Sequence, residues 1–331
     1  MTFDGLDRQK LGYLGRFTLV HVLAYILVGA AFLSIQNAIP AADRVAIDFF
    51  EPYRPVEITV LGWELVRGAL LAVVLSPFYG DILGRDRGWL VLFTTVLGLT
   101  IVGSVEPRAG SIEGVLYTET TAVAHLAVLG ASVVQVGLLT GAFFWWERRA
   151  TTDVSGERRN SLVDREVRGA IPKYVGRFTV VHVVTYFLAG IAFFELQDYE
   201  TAFATMEAFE LYRPLDGAVG IFVFPTQIIR GAFLAALLVP FYSTIFRSDR
   251  GWLYLFGLFL GMTLFGAPNL LQEFVETLAS GSLAEAFVGT AEVTVQMAVF
   301  SLLLWWWERR SLARRDRTAS EGGRNARLFQ L

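Results

Sequence analysis

The feature that most restricts the fold of this chain is an internal repeat. Residues 15–22 read GRFTLVHV and residues 176–183 read GRFTVVHV. Five shorter motifs also occur once in each half and in the same order: YRP at 53–55 and 212–214, RGA at 67–69 and 230–232, PFY at 77–79 and 240–242, DRGW at 86–89 and 249–252, and WWERR at 145–149 and 306–310. We therefore expect two similar halves, each of which serves as a control for the other.

Long apolar runs place these halves in a membrane. Of the 331 residues, 54% are hydrophobic and only 18% are charged, which is too apolar for an ordinary soluble domain. A helix needs about 20 mostly apolar residues to cross the hydrocarbon core of a bilayer. Such runs lie at 14–35, 57–79, 89–105 and 119–146 in the first half, and at 175–195, 217–242, 252–268 and 284–307 in the second. The predicted fold is all-α, with eight transmembrane helices.

The distribution of Arg and Lys predicts the orientation of these helices. Short loops on the cytoplasmic side of a membrane carry an excess of basic residues. With eight spans, 22 of the 28 basic residues fall on the side that holds both termini. The sequence therefore predicts a multi-pass protein of the cell (plasma) membrane with its N- and C-termini in the cytoplasm. Because four is an even number of spans, the two four-helix repeats should be parallel, unlike the inverted repeats of many transporters.

The predicted spans divide the chain into four parts. Residues 1–146 form the first four-span repeat, and residues 175–310 form the second. Between them lies a charged cytoplasmic linker, residues 147–174. Residues 311–331 form a basic C-terminal tail, which we expect to be disordered or associated with the membrane surface.

Two arginines lie inside predicted spans at equivalent positions. Arg67 precedes Tyr79 by 12 residues, and Arg230 precedes Tyr242 by the same number. This spacing places both about 18 Å from the inner interface, near the middle of the membrane. An arginine there costs ~2.5–3.5 kcal/mol or more on insertion, so each should be paired and should face protein or water.

The polar residues near these arginines differ between the halves. Glu64 lies one helical turn from Arg67, where the two side chains can pair, but its counterpart in the second half is Gln227. The second half has Glu292 in its last span instead. We therefore expect one cluster in each half: Arg67, Glu64 and Gln135 in the first, and Arg230, Glu292, Gln227 and Gln296 in the second.

Two interpretations of these clusters stay open. Ionisable residues inside a membrane commonly mark a substrate, ion or proton site. The arginines would suit an anionic or zwitterionic solute, although the carboxylates roughly cancel their charge. Alternatively, the polar groups hold helices in register and have no further role.

Two histidines also occupy equivalent positions. His21 and His182 are each followed, one turn later on the same helix face, by a tyrosine, Tyr25 or Tyr186. Each histidine is a packed residue bonded to a neighbouring group, or a proton-relay or gating residue that titrates near neutral pH. A third interpretation is bis-histidine ligation of a haem or metal across the two-fold axis. Haem is thus the one cofactor under consideration, and no metal site is otherwise predicted.

Motifs for other chemistry are missing from the sequence. The chain has no cysteine, which excludes disulfides, thiol catalysis and thiolate metal sites. No Gly-rich phosphate loop, HExxH motif or GxSxG motif occurs. The charged outer loop at 106–114 is not preserved in the second half, which favours a connection particular to this half over a ligand site. The sequence therefore favours a non-enzymatic role but leaves the question open.

Several of these residues together resemble a group of polytopic membrane proteins of archaea and bacteria that has no known function. The resemblance covers nearly the whole chain and implies a membrane fold without implying an activity. It is carried by Arg16-Phe17, His21, Tyr25, Arg67-Gly68, Pro77-Phe78, Gly88-Trp89, Phe93, Gly110-Ser111-Ile112-Glu113-Gly114 and Trp145-Trp146-Glu147-Arg148-Arg149.

The leading hypothesis is a transporter or channel-like membrane protein with a polar site at the interface of the repeats. One alternative is a membrane enzyme or redox protein built around His21 and His182, and another is a non-catalytic scaffold or sensor. The expected partners are the lipid bilayer and a small solute or ion. Nucleic acid is not expected, because the basic runs are accounted for by membrane topology. The sequence leaves the oligomeric state open.

Overall fold

The computed structural model describes residues 8–40, 58–105, 107–150, 168–199, 201, 212–214, 217–266, 270–281 and 290–328. These residues are helical almost throughout and include no strand, which confirms the all-α prediction. The helices are α1 (Arg8–Ala38), α2 (Ile58–Leu75), α3 (Tyr79–Leu83), α4 (Gly88–Leu97), α5 (Ile112–Tyr117), α6 (Ala122–Ala150), α7 (Ile171–Leu196), α8 (Gly217–Leu238), α9 (Tyr242–Phe246), α10 (Gly251–Gly266), α11 (Leu270–Ala279) and α12 (Thr290–Leu328).

Five helical segments in the described part of the chain are long and apolar enough to cross a membrane. They are Lys10–Ala38, Thr59–Leu83, Ala122–Ala150, Ile171–Leu196 and Val219–Phe246. Two shorter apolar helices, Gly88–Val102 and Gly251–Gly266, correspond to the predicted third span of each half. Residues 290–307 of the last predicted span form the start of α12, where Glu292 and Gln296 interrupt the apolar run.

Many large apolar side chains on these helices point outward. Leu27, Leu126 and Leu188 have 62%, 70% and 64% of their surface exposed. On a water-soluble protein, so much exposed apolar surface would be an aggregation liability. In a bilayer it contacts lipid chains, so this surface is consistent with a membrane-embedded protein.

Proline ends the second helix of each half at its C-terminal end. A 3₁₀ turn at Ser76–Phe78 contains Pro77 and leads from α2 into α3. A second 3₁₀ turn, at Val239–Phe241, contains Pro240 and leads from α8 into α9. Proline has no N–H to donate and its ring clashes with the preceding turn, which explains why both helices change course at the PFY motif.

The helices of each half pack in the same pattern. α1 packs against α2 and α6, and α7 packs against α8 and α12. The halves meet where α2 packs against α10, and where α8 packs against α4 and the turn that follows it. At the centre, the rings of Phe78 and Phe241 lie 4.7 Å apart. These two residues occupy the same place in the two PFY motifs.

Small residues allow the halves to approach closely at two equivalent points. A Cβ added to Gly98 would lie 2.4 Å from a methyl group of Leu237. A Cβ added to Gly261 would lie 2.4 Å from a methyl group of Val74. Gly98 and Gly261, which lie in the third predicted span of each half, thus pack against a side chain from the second helix of the other half.

The structure bears on two of the predicted boundaries. Residues 151–167, most of the predicted linker, lie outside the described residues. The described residues of the predicted tail, through Leu328, continue α12 as a helix, which differs from the expected disorder. Attachment of the tail to the membrane surface stays a prediction. The absence of proline after Pro268 lets the helix continue beyond the WWERR motif.

Candidate functional site: two buried arginine clusters

Arg67 is held by a carboxylate from its own helix, as predicted. Its terminal nitrogen Nη1 donates to both oxygens of Glu64, at 3.1 and 2.9 Å. Nε2 of His21 lies 3.0 Å from Oε2 of the same carboxylate. All three residues are buried. Because a lone buried charge is strongly unfavourable, the carboxylate compensates Arg67 and orients the histidine ring.

Arg67 also contacts the other half of the chain. Its Nε donates to the carbonyl of Phe265 at 2.5 Å, and its Nη2 donates to the carbonyl of Gly266 at 2.7 Å. These are the last carbonyls of α10, and such groups have no partner within their own helix. They also form the negative end of the helix dipole. Arg67 therefore caps a helix that belongs to the second half.

Arg230 makes the reciprocal contact. Its Nη2 donates to the carbonyl of Gly103 at 3.1 Å. Gly103 lies in the first half and is the counterpart of Gly266 in the second. Nε of Arg230 is buried and has no hydrogen-bond partner among the residues that the structure describes. The residue equivalent to Phe265 is Val102, the last residue of a π-helical turn at Gly98–Val102. We attribute the missing bond to this turn, since it reorients the last carbonyls of the helix.

The carboxylate beside Arg230 comes from an unexpected place. Nη1 of Arg230 lies 2.8 Å from Oε1 of Glu113, in the short outer helix α5 of the first half. Nε2 of Gln227 donates to the same carboxylate at 2.9 Å. Oε1 of Gln227 lies 3.1 Å from Nε2 of His182 and 3.4 Å from Nη1 of Arg230. The amide of Gln227 thus links histidine, arginine and carboxylate.

Glu292 does not pair with Arg230, which corrects our expectation. Its carboxylate accepts a hydrogen bond from the hydroxyl of Tyr199 at 2.6 Å. It also lies 3.7 Å from the position of a Cβ at Gly190, on α7. The carboxylate that replaces Glu64 therefore comes from an outer loop of the opposite half, and not from the last span.

The chain fixes α5 at both ends. Ser111 caps its start, because its hydroxyl accepts the N–H of Gly114 at 2.8 Å. At its other end, Thr118 pairs with Tyr212 in an isolated antiparallel bridge, and Arg213 donates its N–H to the carbonyl of Tyr117 at 2.8 Å. These contacts explain why Glu113 can be fully buried on a helix of only six residues.

Tyrosine hydroxyls close the outer side of the second cluster. The hydroxyls of Tyr117 and Tyr186 are 2.6 Å apart. Burial, aided by the nearby Glu113 charge, raises the pKa of Tyr117 to about 12, so its phenol is neutral at physiological pH. Burial raises the pKa of the Glu113 carboxyl, whereas the Arg230 charge and the Gln227 hydrogen bond oppose that rise. The second cluster therefore lies beside α5 and beside two hydrogen-bonded tyrosine hydroxyls.

Glycine next to each arginine brings the first two helices of each half together. A Cβ added to Gly68 would lie 3.0 Å from Cδ2 of His21, and 3.2 Å from Cα of Thr18. A Cβ added to Gly231 would lie at the same distances from His182 and Thr179. In both RGA motifs, the arginine provides a buried positive charge. The glycine that follows it leaves space for the histidine ring of the neighbouring helix.

The first cluster borders a small cavity of about 40 Å³. A polar cavity needs roughly 10–15 Å³ to hold one water molecule, so this space admits only a few waters or a small ion. The polar residues that line it come from four helical segments: His21, Arg67, Thr100, Ser132 and Gln135.

The residues that line the cavity explain why it occurs in the first half. Val96 and Leu139 lie on its wall. Their counterparts are Phe259 and Phe300, whose rings are 5.6 Å apart and buried. The ring of Phe300 also lies 6.3 Å from that of His182. In the first half, two aliphatic side chains leave this region open. In the second half, two larger aromatic side chains occupy the equivalent region.

The cavity wall also contains an irregular helical turn. Thr100 and Ile101 line the cavity and belong to the π-helical turn Gly98–Val102. The N–H of Gly103 closes this turn with a 2.7 Å hydrogen bond to the carbonyl of Gly98. The corresponding helix α10 is regular through Gly266. Such single-turn irregularities are frequent at functional sites.

The remaining candidate residues divide between the two clusters. Gln135 lines the cavity beside Arg67, as predicted. Gln296 is buried on α12, at the position that corresponds to Gln135. Tyr25 is half-buried one turn from His21 on α1. Tyr186 lies on α7 beside His182, with their rings 6.1 Å apart.

The histidines are engaged within their own clusters. Nε2 of each ring bonds a side chain of the second helix of the same half, Glu64 for His21 and Gln227 for His182. The described residues include no group of three or more His, Cys, Asp or Glu placed to hold a metal ion. Haem ligation by the two histidines stays a prediction.

A further pair of buried carboxylates lies where the start of the first helix of each half meets the last helix of that half. Glu147 accepts Nε and Nη2 of Arg16 at 2.6 and 2.9 Å, and the hydroxyl of Tyr79 at 2.6 Å. The second half repeats this arrangement with Arg177, Tyr242 and Glu308. One contact therefore unites three motifs that both halves preserve, GRF, PFY and WWERR.

Sequence reasoning missed Glu113, Glu147 and Glu308. The recurrence of glutamate between Trp and Arg in both WWERR motifs was an available signal for the inner pair. Glu113 had a weaker signal, since the replacement of Glu64 by Gln227 required a carboxylate from elsewhere. No sequence pattern indicated that this carboxylate would come from a loop of the other half.

Comparisons of the chain with known protein families, curated proteins and solved structures find no match.

Proposed function

We propose that the chain is a multi-pass membrane protein with eight spans, arranged as two parallel four-helix repeats with both termini in the cytoplasm. The five long apolar helices and the two shorter ones account for seven spans, and the start of α12 supplies the eighth. A helix shorter than 20 residues can serve as a span where the bilayer thins or neighbouring helices shield its ends.

Equivalent contacts support the parallel arrangement. The Arg16–Glu147 and Arg177–Glu308 pairs bring the start of the first helix to the end of the fourth in each half. The reciprocal bonds from Arg67 to Gly266 and from Arg230 to Gly103 then connect the halves in the same sense. A two-fold axis along the membrane normal, passing between Phe78 and Phe241, accounts for all four contacts.

Within this arrangement we propose a transporter or channel-like function, with a proton-binding site at His21. The observation that carries this proposal is the cavity beside Arg67, which is lined by polar side chains and occurs where the second half has Phe259 and Phe300. The size of the cavity limits its contents to a few waters or a small ion.

His21 has the chemistry to accept a proton from water in this cavity. Its Nε2 is bonded to Glu64, and its Nδ1 makes no hydrogen bond within the described part of the chain. The ring itself lines the cavity. The Glu64 carboxylate would stabilise an imidazolium, while Arg67 would oppose it. This balance would let the proton leave as well as arrive, which transport requires.

Proton flux into liposomes tests the proposal. The purified chain is reconstituted with a pH-sensitive dye inside the vesicles, and a potassium gradient with valinomycin sets the membrane potential. We expect flux above that of empty vesicles, and a loss of most of it in His21→Gln. The matched control is His182→Gln, which changes the equivalent residue in the second cluster and should leave the flux unchanged.

A second variant tests the cavity without changing a titratable group. Leu139→Phe introduces the residue that the second half has at the same position and should block the flux. The control for this variant is Phe300→Leu, which is the reverse exchange at the equivalent position of the second half. Equal flux in His21→Gln and His182→Gln, or wild-type flux in Leu139→Phe, would show that the cavity is not the path.

A non-catalytic scaffold is the second candidate, favoured by the bonds that the arginines make between the halves. Arg67 and Arg230 both have a carboxylate and a helix-end carbonyl as partners. In a scaffold, His21→Gln and Arg67→Gln would lower stability without a specific effect on flux. Thermal unfolding of the reconstituted variants, measured beside the flux, separates the two candidates.

Membership of the archaeal and bacterial group that the motifs resemble stays a prediction, as does a membrane enzyme or redox protein built on the histidines. An absorption spectrum of the purified chain tests the latter directly, since bis-histidine haem gives a strong Soret band.

A further inference from the structure

A groove of about 390 Å³ lies near the inner end of α6, away from both arginine clusters. It is open to the surroundings and combines aromatic and basic side chains. The residues that line it are Trp89, Gly141, Phe144, Trp145, Arg148 and Arg149.

The apolar part of the groove is exposed at the level where a membrane interface is expected. Trp89 and Trp145 are 47% and 59% exposed. Tryptophan is enriched where hydrocarbon meets headgroups, because its ring is apolar and its N–H is polar. Arginine side chains immediately beyond these rings are then at headgroup depth.

Two arginines of the groove are held in place by aromatic rings. The guanidinium of Arg149 lies 4.0 Å from the ring centroid of Trp145, and that of Arg148 lies 5.1 Å from that of Phe144. Nη2 of Arg148 also donates to the backbone carbonyl of Asp86 at 3.1 Å. Within the described part of the chain, neither guanidinium forms an ion pair, so their charges are available to an anion.

The equivalent arginines of the second half differ from Arg148 and Arg149 in their ion pairing. Arg309 and Arg310 also lie over aromatic rings, at 5.0 Å from Trp305 and 3.7 Å from Trp306. Nη1 of Arg309, however, forms an ion pair with Asp249 at 2.5 Å. The equivalent aspartate of the first half, Asp86, bonds Arg148 through its backbone carbonyl and, within the described residues, forms no ion pair with it.

Gly141 makes the groove possible. Its counterpart in the second half is Leu302, which is 44% exposed. A Cβ added to Gly141 would meet nothing within 4 Å, so the space beside it is open. Because glycine has no side chain at this position, a groove stays open on the helix surface next to Trp89 and Trp145.

We propose that this groove binds one anionic phospholipid of the surrounding membrane, with its phosphate on Arg148 and Arg149 and an acyl chain along Gly141 and Trp145. Arginine matches phosphate in geometry as well as in charge. Trp89, Trp145, Arg148 and Arg149 are exposed on the surface of the helices, where a bilayer would surround them, which favours a lipid over a soluble phosphate. The inference requires only that the chain lies in a membrane and is independent of the proton site.

Native mass spectrometry of the full chain tests this assignment. The protein is released from nanodiscs that contain equal amounts of phosphatidylglycerol and phosphatidylcholine with the same acyl chains. We expect one phosphatidylglycerol to be retained in preference to phosphatidylcholine by about tenfold or more, the effect of two arginines near a lipid phosphate.

Two variants and their counterparts make the test specific. Gly141→Leu fills the groove without a change in charge, and Arg148→Gln/Arg149→Gln removes the charge; each should abolish the preference. Leu302→Gly and Arg309→Gln/Arg310→Gln should both keep the preference, because they alter the second half alone. Thermal unfolding checks that every variant is folded.

Three results would overturn the proposal. The first is equal retention of the two lipids by the wild type, and the second is an unchanged preference in Gly141→Leu. The third is displacement of the lipid by millimolar glycerol 3-phosphate, which would show that the site takes a soluble phosphate. Equal losses from the two arginine double variants would likewise reject a site confined to the first half.

Discussion

Arg67 and Arg230 have similar surroundings, but their carboxylates have different origins. Arg67 pairs with Glu64, three residues earlier on its own helix. Arg230 pairs with Glu113, 117 residues earlier in the chain and on an outer loop of the other half. Both arginines also cap the end of a helix from the opposite half. Both arginines need one compensating carboxylate. The residue that provides this carboxylate, however, lies at a different place in the chain for each of them.

The surroundings of the two arginines also differ in the size of their side chains. Beside Arg67 there is a polar cavity, with Val96 and Leu139 on its wall. Beside Arg230 the carboxylate comes from α5, and Phe259 and Phe300 occupy the positions that correspond to Val96 and Leu139. The two halves therefore keep the same charge balance within differently packed surroundings.

The largest expected effect comes from Glu113→Gln, which leaves Arg230 buried without a carboxylate. Removing one partner of a buried ion pair costs about 3–5 kcal/mol of stability. Adding Gln227→Glu should recover much of this loss, because it recreates the pairing of the first half. The measurement is reversible unfolding in mixed detergent micelles. Failure of Gln227→Glu to restore stability would mean that the two clusters are not interchangeable.

The next effect concerns the inner carboxylates, where the halves are alike. Glu147→Gln and Glu308→Gln each weaken hydrogen bonds from an arginine and a tyrosine. Each should destabilise the protein by about 1.5–3 kcal/mol, the usual range for hydrogen bonds to charged groups. The two losses should agree within error under the same unfolding assay. A large difference between them would show that the halves diverge at the inner end as well.

Gly68→Ala and Gly231→Ala test the packing beside the arginines. The added methyl group would lie 3.0 Å from a histidine carbon in both cases. Overpacking of this kind costs about 1–3 kcal/mol. We expect the loss in Gly68→Ala to be the smaller one, because the cavity lets His21 shift, whereas Phe300 limits any movement of His182. Thermal unfolding of the two variants side by side gives the comparison, and a larger loss in Gly68→Ala would contradict it.

The smallest effect is expected for Glu292→Gln. This change weakens one hydrogen bond from Tyr199 and leaves no buried arginine without a partner. The loss should be about 1 kcal/mol, well below that of Glu113→Gln. If Glu292→Gln destabilised the protein as much as Glu113→Gln does, the assignment of Arg230 to Glu113 would be wrong. Parallel unfolding curves for the two variants decide the question.

Several parts of the first cluster were predictable because they are local. Glu64 and Arg67 are three residues apart on one helix, a spacing that places side chains together. Gln135, which we expected at the same level, lines the same cavity as Arg67. Depth along a helix follows directly from residue number, so the amino-acid sequence alone is enough to match the depths of residues on different helices.

The second cluster was not predictable by the same reasoning. Glu292 has a suitable depth, but depth does not determine the direction in which a side chain points around its helix. The structure turns Glu292 toward Tyr199 and Gly190. Glu113 reaches Arg230 because α5 folds across the boundary between the halves, and Tyr212 and Arg213 hold its end. That arrangement depends on contacts between distant segments.

The sequence by itself determined that the chain is helical and apolar, that its halves are related, and that two arginines must be compensated inside it. These properties depend on composition, periodicity and spacing along single helices. Only the tertiary structure decided which carboxylate compensates Arg230, which helix ends the arginines cap, and which residues line the cavity beside Arg67. Those outcomes depend on how helices rotate and pack against one another, and on whether a phenylalanine or a smaller aliphatic residue fills the space between them.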